Sequence, residues 1–186
     1  MDDKKDKTKI IYLTGKPGVG KYTIAKELAK NYGYVICDNQ LINNPIFELL
    51  QYDGYGDIPE FAWVSIEKIR AVILNFLSKE TVHNYILTNC LADSEKDRNI
   101  YQEVKKMAES KGSEFYPVAL RIEKQEHLKR LTNQDRLKRW KSIDPEDAED
   151  HGAAIAISHP NLLKLEISKL SAVEAAKKIM EFIDAR

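Results

Sequence analysis

The sequence predicts an α/β protein with a parallel sheet, and three observations carry that prediction. Short apolar, β-branched runs recur along the chain, at Ile10–Thr14, Tyr34–Cys37, Tyr85–Asn89, Glu114–Ile122 and Leu162–Ile167. Helical periodicity fills the stretches between them, the alternation that builds a parallel sheet covered by helices. The first run leads through a glycine-rich turn, Gly15 to Lys21, directly into helical spacing from Tyr22, with Ile24, Ala25, Leu28 and Ala29 on one face.

That turn reads G-K-P-G-V-G-K and fits the spacing G-x-x-x-x-G-K. Strand, glycine loop and helix start stand in the order a phosphate-binding loop requires. Gly15, Gly18 and Gly20 let successive N–H groups turn inward towards phosphate oxygens. Lys16, Pro17 and Val19 fill the loop between them. The helix after Gly20 contributes its exposed amides and positive dipole end, and Lys21 a mobile point charge. One position departs from the pattern. Tyr22 stands where a serine or threonine normally follows the lysine to bind Mg²⁺, and its phenol oxygen lies too far from the backbone to replace it. Thr23 comes next, about 100° further round the helix. The metal ligand is therefore left open.

The bulk properties suit one domain: 186 residues can bury a sizeable core. Residues 1–8 read as a solvated tail and 9–186 as the domain. Acidic and basic residues balance at 29 each, so no global field favours nucleic acid or an anionic membrane. No run has the length of a membrane span, and the polar start M-D-D-K-K-D-K-T-K is unlike a signal peptide. Cys37 and Cys90 alone suggest no disulfide framework, which fits a reduced, cytoplasmic setting. His83, His127, His151 and His159 show no metal-ligand spacing and read as structural or exposed.

Taken in order, Asn31-Tyr32-Gly33 stops the first helix. The second strand ends at Asp38-Asn39, beside the phosphate loop if the sheet is parallel, since ligands collect at the carboxyl ends of such strands. Asp38 there suits a base for a substrate hydroxyl or a water-mediated Mg²⁺ ligand; capping the next helix is the competing reading. Asn43-Asn44-Pro45 predicts a break, with a helix from Ile46 to Leu50 and Pro45 at its first position. Pro59–Leu77 predicts a long helix whose apolar face holds Phe61, Val64, Ile69, Val72, Ile73, Phe76 and Leu77. The stretch from about 40 to 80 exceeds a simple crossover and reads as an acceptor-binding insertion. Asn43, Asn44, Tyr52, Tyr55 and Trp63 are its candidate contacts, each more readily explained as core or cap.

The third strand ends in Thr88, Asn89 and Cys90, with no aspartate there to hold Mg²⁺ and order water, which argues against an ATP-hydrolysing motor. The absence of N-K-x-D argues against a GTPase. Asp97–Lys111 predicts a helix with Ile100, Val104, Met107 and Ala108 inward. Pro117 is unusual for the fourth strand, since proline prefers sheet edges. The basic stretch that follows, to Lys141, contains Arg136 and Arg139, three apart and therefore on one helical face. A segment of about 124–152 reads as a lid bringing cations to a migrating phosphoryl group. Ser171 and Glu174 have the spacing of a capping box on the last helix.

With G-K-P-G-V-G-K-Y-T, C-D-N at the second strand tip, Arg136 with Arg139, and the closing strand and helix, the chain resembles the small P-loop kinases of the nucleoside monophosphate kinase and shikimate kinase type. Within that group it looks closest to little-characterised AAA-like kinases and antibiotic-modifying phosphotransferases. The resemblance implies a three-layer α/β/α P-loop NTPase fold with a five-stranded parallel sheet in the order 2-3-1-4-5. It implies ATP and Mg²⁺ as donor, bound by Gly15 to Thr23, with Thr23 on the α-phosphate. Lys21, Asp38, Arg136 and Arg139 would be the catalytic residues, with Asp38 on the acceptor hydroxyl. The expected function is transfer of the γ-phosphoryl group to a hydroxyl or phosphate of a small metabolite, nucleotide or antibiotic. A nucleotide-binding module or switch without phosphotransfer is the alternative, supported by Tyr22 and the missing acid.

Overall fold

The computed structural model describes residues 7–53, 57–132, 138 and 154–186. Its centre is β1 (Lys9–Thr14), in which Ile10 to Leu13 are wholly buried. Burial on both faces of the sheet explains why the run is continuously apolar rather than alternating. Side chains nevertheless alternate between two cores, because successive residues of a strand point to opposite faces. Ile11 and Leu13 join one cluster and Ile10 and Tyr12 the other.

The first core is closed by α1 (Lys21–Tyr32) and α6 (Ala172–Asp184), through Ile24, Leu28, Ile179 and Ile183. The second is closed by α3 (Glu60–Lys79) and α4 (Glu95–Lys111), through Leu74, Leu77, Val104 and Met107. Between them the strands β2 (Val35–Asp38), β3 (Tyr85–Asn89), β4 (Glu114–Arg121) and β5 (Leu163–Glu166) pair with β1 in the order β2-β3-β1-β4-β5, all parallel. The expected sheet and its order are thus observed. Pro117 pairs with Tyr12 on one side, while β5 joins β4 only from Val118 onward, so the proline sits where the ladder is still one-sided. Ser171 and Glu174 form the expected capping box.

Two expectations fail. The helix expected from Ile46 begins seven residues earlier: α2 runs from Asn39 to Leu49 with Pro45 inside it. Asp38 capping its first turn overrides the proline. Pro45 stands seventh in the helix, so the carbonyl it faces, four residues back, is Leu41 in the first turn. On α3 the predicted apolar face is largely the wrong one. Ala62, Ile66, Arg70, Leu74 and Leu77 are buried, whereas Phe61, Val64, Val72 and Phe76 are exposed, Val72 by 69% and Phe76 by 61%. Both α2 and α3 lie between β2 and β3 in the chain, and α2 starts at the strand tips beside the loop that follows β1.

Candidate active site

The glycine loop runs from the end of β1 into α1. Gly15 (φ 147°) and Gly18 (φ 80°) hold backbone conformations that side chains disfavour. Space excludes a side chain as well: a Cβ on Gly15 would stand 2.9 Å from the Leu120 carbonyl oxygen, and one on Gly18 3.0 Å from Leu131 Cδ1. Gly20 opens α1, whose first turn carries no acidic residue, so the positive end of the helix is uncompensated. The amides of Gly18 and Gly20 donate to no group among the described residues. Lys21 bends back over the loop, its Nζ donating to the carbonyl oxygens of Gly15 at 2.6 Å and Lys16 at 2.8 Å. Unsatisfied amides, a helix start and a lysine over one turn fit a chain of phosphates.

The short helix α5 (Lys124–Leu131) holds this loop from outside. Buried His127 hydrogen-bonds the Pro17 carbonyl oxygen through Nε2 at 2.5 Å, which places its proton on that nitrogen. Arg130 donates from Nε to Glu126 at 2.7 Å, and its two terminal nitrogens reach the Val19 and Ile167 carbonyls at 3.4 Å each. Leu131 is fully buried beneath Gly18. From sequence His127 reads only as structural or exposed, and Arg130 only as one cation of the basic stretch. Their spacing with Leu131 puts all three on one face of a helix, the one signal that pointed to them. Arg136 and Arg139, with most of the expected lid, lie outside the described residues.

The neighbouring strand tips are joined to one another. Tyr12 Oη donates to Asn89 Oδ1 at 2.9 Å, and Asn89 Nδ2 donates to Asn39 Oδ1 at 3.0 Å. Thr88 Oγ1 accepts from the Asn39 amide at 3.2 Å. The residues standing where an acid was missed therefore fasten the start of α2 to β3. Asp38 is buried and its Oδ1 accepts from the Leu41 amide at 3.2 Å, so the capping reading is observed. Capping occupies one carboxylate oxygen at this bond and leaves the acid at the strand tip.

Beside the loop opens a cavity of about 540 Å³, whose walls include Tyr22, Asp38, Gln40, Leu41, Asn44 and Glu48. Tyr22 thus brings the loop helix and the tip of β2 to one space. Its ring also has the Lys26 ammonium 5.4 Å from its centroid. Thr23 is exposed on α1. Of the insertion's candidate contacts, Asn44 lines the cavity and Asn43 is buried. Tyr52 and Trp63 pack on Phe47, with ring centroids 5.2 and 5.9 Å away, in a small satellite core. Tyr55 lies outside the described residues. Among the described residues no three His, Cys, Asp or Glu side chains come together as a metal site. No described helix is long and apolar enough to cross a membrane.

A parallel sheet of this order, covered by helices on both faces and carrying a glycine loop after its central strand, is the P-loop NTPase fold. The AAA domain family model matches residues 11–151, and the chain belongs to that family. A sequence comparison with curated proteins finds no match. Among solved structures, a putative kinase from Chloroflexus aurantiacus J-10-fl superposes with a TM-score of 0.63 at 14% identity, covering 96% of this chain and 97% of its own. An APS kinase from Mycobacterium tuberculosis, in complex with AMPPNP and APS, gives 0.58 at 15% identity, covering 96% and 98%. Shikimate kinase from Acinetobacter baumannii, in complex with shikimate, gives 0.54 at 15%, covering 96% and 94%. At such identities the likeness is one of fold.

Proposed function

We propose that the protein is an ATP-dependent phosphotransferase acting on a small hydroxylated molecule. One observation carries this reading: Tyr22, directly after Lys21 of the glycine loop, and Asp38, at the neighbouring strand tip, line the same cavity. A phosphate site and an acceptor site that share a wall suit direct transfer, in which positioning and charge stabilisation supply most of the rate.

ATP would lie with its phosphates on the Gly15–Thr23 loop, where Lys21 exchanges its bonds to the Gly15 and Lys16 carbonyls for phosphate oxygens. Thr23 would reach the α-phosphate. The acceptor oxygen attacks the γ-phosphorus as the bond to ADP breaks, and Asp38 orients the hydroxyl and takes its proton. Arg136 and Arg139 would bring lid cations to the migrating group. Mg²⁺ bound with the triphosphate would neutralise part of its charge. With Tyr22 after the lysine and Thr88 and Asn89 engaged in holding α2, Asp38 is the carboxylate left to contact it through water. The residues from about 40 to 80 would form the acceptor side, and the protein would work in the cytoplasm.

Isothermal titration of ATP·Mg²⁺ against the natural protein and Lys21→Ala tests the loop. Loss of a charge-assisted phosphate contact should weaken binding tenfold or more, about 1.5–3 kcal/mol; equal affinity would sink the assignment. The capped carboxylate of Asp38 and the phenol at position 22 also suit a nucleotide-binding module without transfer. Tight nucleotide binding with no labelled product from any metabolite pool would favour that reading.

A further inference from the structure

The cavity beside the loop has a chemical character of its own. Gln40, Asn44 and Glu48 follow one another at four-residue intervals on α2, so they form one stripe. Asp38 stands at the head of that stripe, as the cap of the same helix. Among the described residues lining the cavity none is lysine, arginine or histidine, whereas Asp38 and Glu48 are both acids. Glu48 has no ion-pair partner among the described residues. The carbonyl oxygens Gln40 Oε1 and Asn44 Oδ1 are buried and accept no hydrogen bond. A buried acceptor without a donor is costly, so both favour a ligand rich in donors. A negative wall disfavours a carboxylate or phosphate and favours a cation. Lys26, the cation beside Tyr22, touches the ring and is not part of the lining.

We propose that the acceptor is an aminated polyhydroxyl molecule rather than a hydroxy acid or a phosphorylated compound. Its ammonium group lies towards Glu48, its hydroxyls donate to Gln40 and Asn44, and the reacting hydroxyl meets Asp38. Tyr22 covers the carbon skeleton. The inference rests on the phosphotransferase reading and names the substrate class of that site. In the step itself the acceptor oxygen forms a bond to the γ-phosphorus and the bond from that phosphorus to ADP breaks. The hydroxyl proton passes to Asp38 and then to water, and the amine takes no part.

The test is titration of the full chain, saturated with AMP-PNP·Mg²⁺, with D-glucosamine, kanamycin, D-glucose and D-gluconate. The aminated probes should bind about fivefold or more tightly than glucose, the scale of one partly exposed charge pair, with gluconate weakest. Glu48→Gln should remove that order and Glu48→Lys should reverse it. Gluconate binding as tightly as glucosamine, no aminated probe binding, or an unchanged preference in Glu48→Gln would each overturn the proposal. AMP-PNP affinity, measured first in the same cell, tests the phosphate loop separately. If the analogue binds and the probe order is wrong, the acceptor class alone is at fault.

Discussion

At the scale of the residue, Asp38 caps a helix and lines a cavity, and the proposed reading adds the acceptor-side role that sequence reading set against capping. Its Oδ1 caps α2 through the Leu41 amide, and its position at the tip of β2 puts it on the cavity wall. One substitution separates the two. Asparagine caps a helix about as well as aspartate, so Asp38→Asn should keep stability within about 0.5 kcal/mol. Removing the base should lower kcat by about 10²–10⁴. Asp38→Ala should lose the cap too, at about 1 kcal/mol. Thermal melts and steady-state kinetics on both variants measure this; an Asn variant of natural activity would leave Asp38 a cap and nothing more. Tyr22 teaches a related lesson. From sequence it is a missing metal ligand, and in the fold it is part of the wall of the cavity beside the loop. Its direction depends on where α2 ends up, which no local pattern specifies.

At the scale of the element, α3 shows why periodicity can select the wrong face. Two stripes run along it. The stripe of Phe61, Val64, Val72 and Phe76 is the more apolar, and the one that folds inward contains Ala62 and Arg70. Burial follows fit to the neighbouring elements rather than summed hydrophobicity: Ile66 packs with Ile42 and Phe47 of α2, while Leu74 and Leu77 join the core on one face of the sheet. Phe76→Lys should therefore change stability by no more than about 0.5 kcal/mol, as surface substitutions do. Leu77→Lys, one residue on and 2% exposed, should cost several kcal/mol by burying an unpaired charge. Urea unfolding of the two variants compares them directly. Similar losses would mean that the exposed stripe is covered in solution.

For the whole molecule, acid is the expected weakness. Glu80 lies at the end of α3, where burial alone would raise its pKa. The Lys111 ammonium, 2.9 Å from Oε2, and the amides of Val82 and His83 outweigh that and hold it at about 2. Lys111 is itself fully buried at its side chain, so the pair joins the ends of α3 and α4. A carboxyl depressed on folding stabilises fully above its unfolded pKa of about 4.5, and that contribution fades as pH falls towards 2. His159 adds in the same direction. Burial, with Lys105 nearby, lowers its pKa below 6.5, so it must be protonated against the fold as pH drops. Stability should slip below about pH 6.5 and fall more steeply below about 4.5. Lys111→Met should cost about 3 kcal/mol at pH 7, by leaving Glu80 without its partner, and should flatten the profile below pH 4.5. Chemical denaturation at pH 7, 5 and 3 reads out both effects; an unchanged acid profile in Lys111→Met would show that another group controls it.

The sequence by itself determined the strands, the glycine loop and most helix ends, because these rest on local chemistry. Backbone freedom at Gly15 and Gly18, β-branched runs, and the caps at Gly33 and Ser171 act within a few residues. It also marked Asp38 as a residue to watch, since a charge at a strand tip is locally visible. Only the tertiary structure decided which stripe of α3 turns inward. It also brought His127 and Arg130 under the loop from more than a hundred residues away. It made Tyr22, Asp38 and Glu48 walls of one cavity. Those outcomes depend on which surfaces fit against each other, and fit is a property of pairs of elements that no single stretch of chain contains.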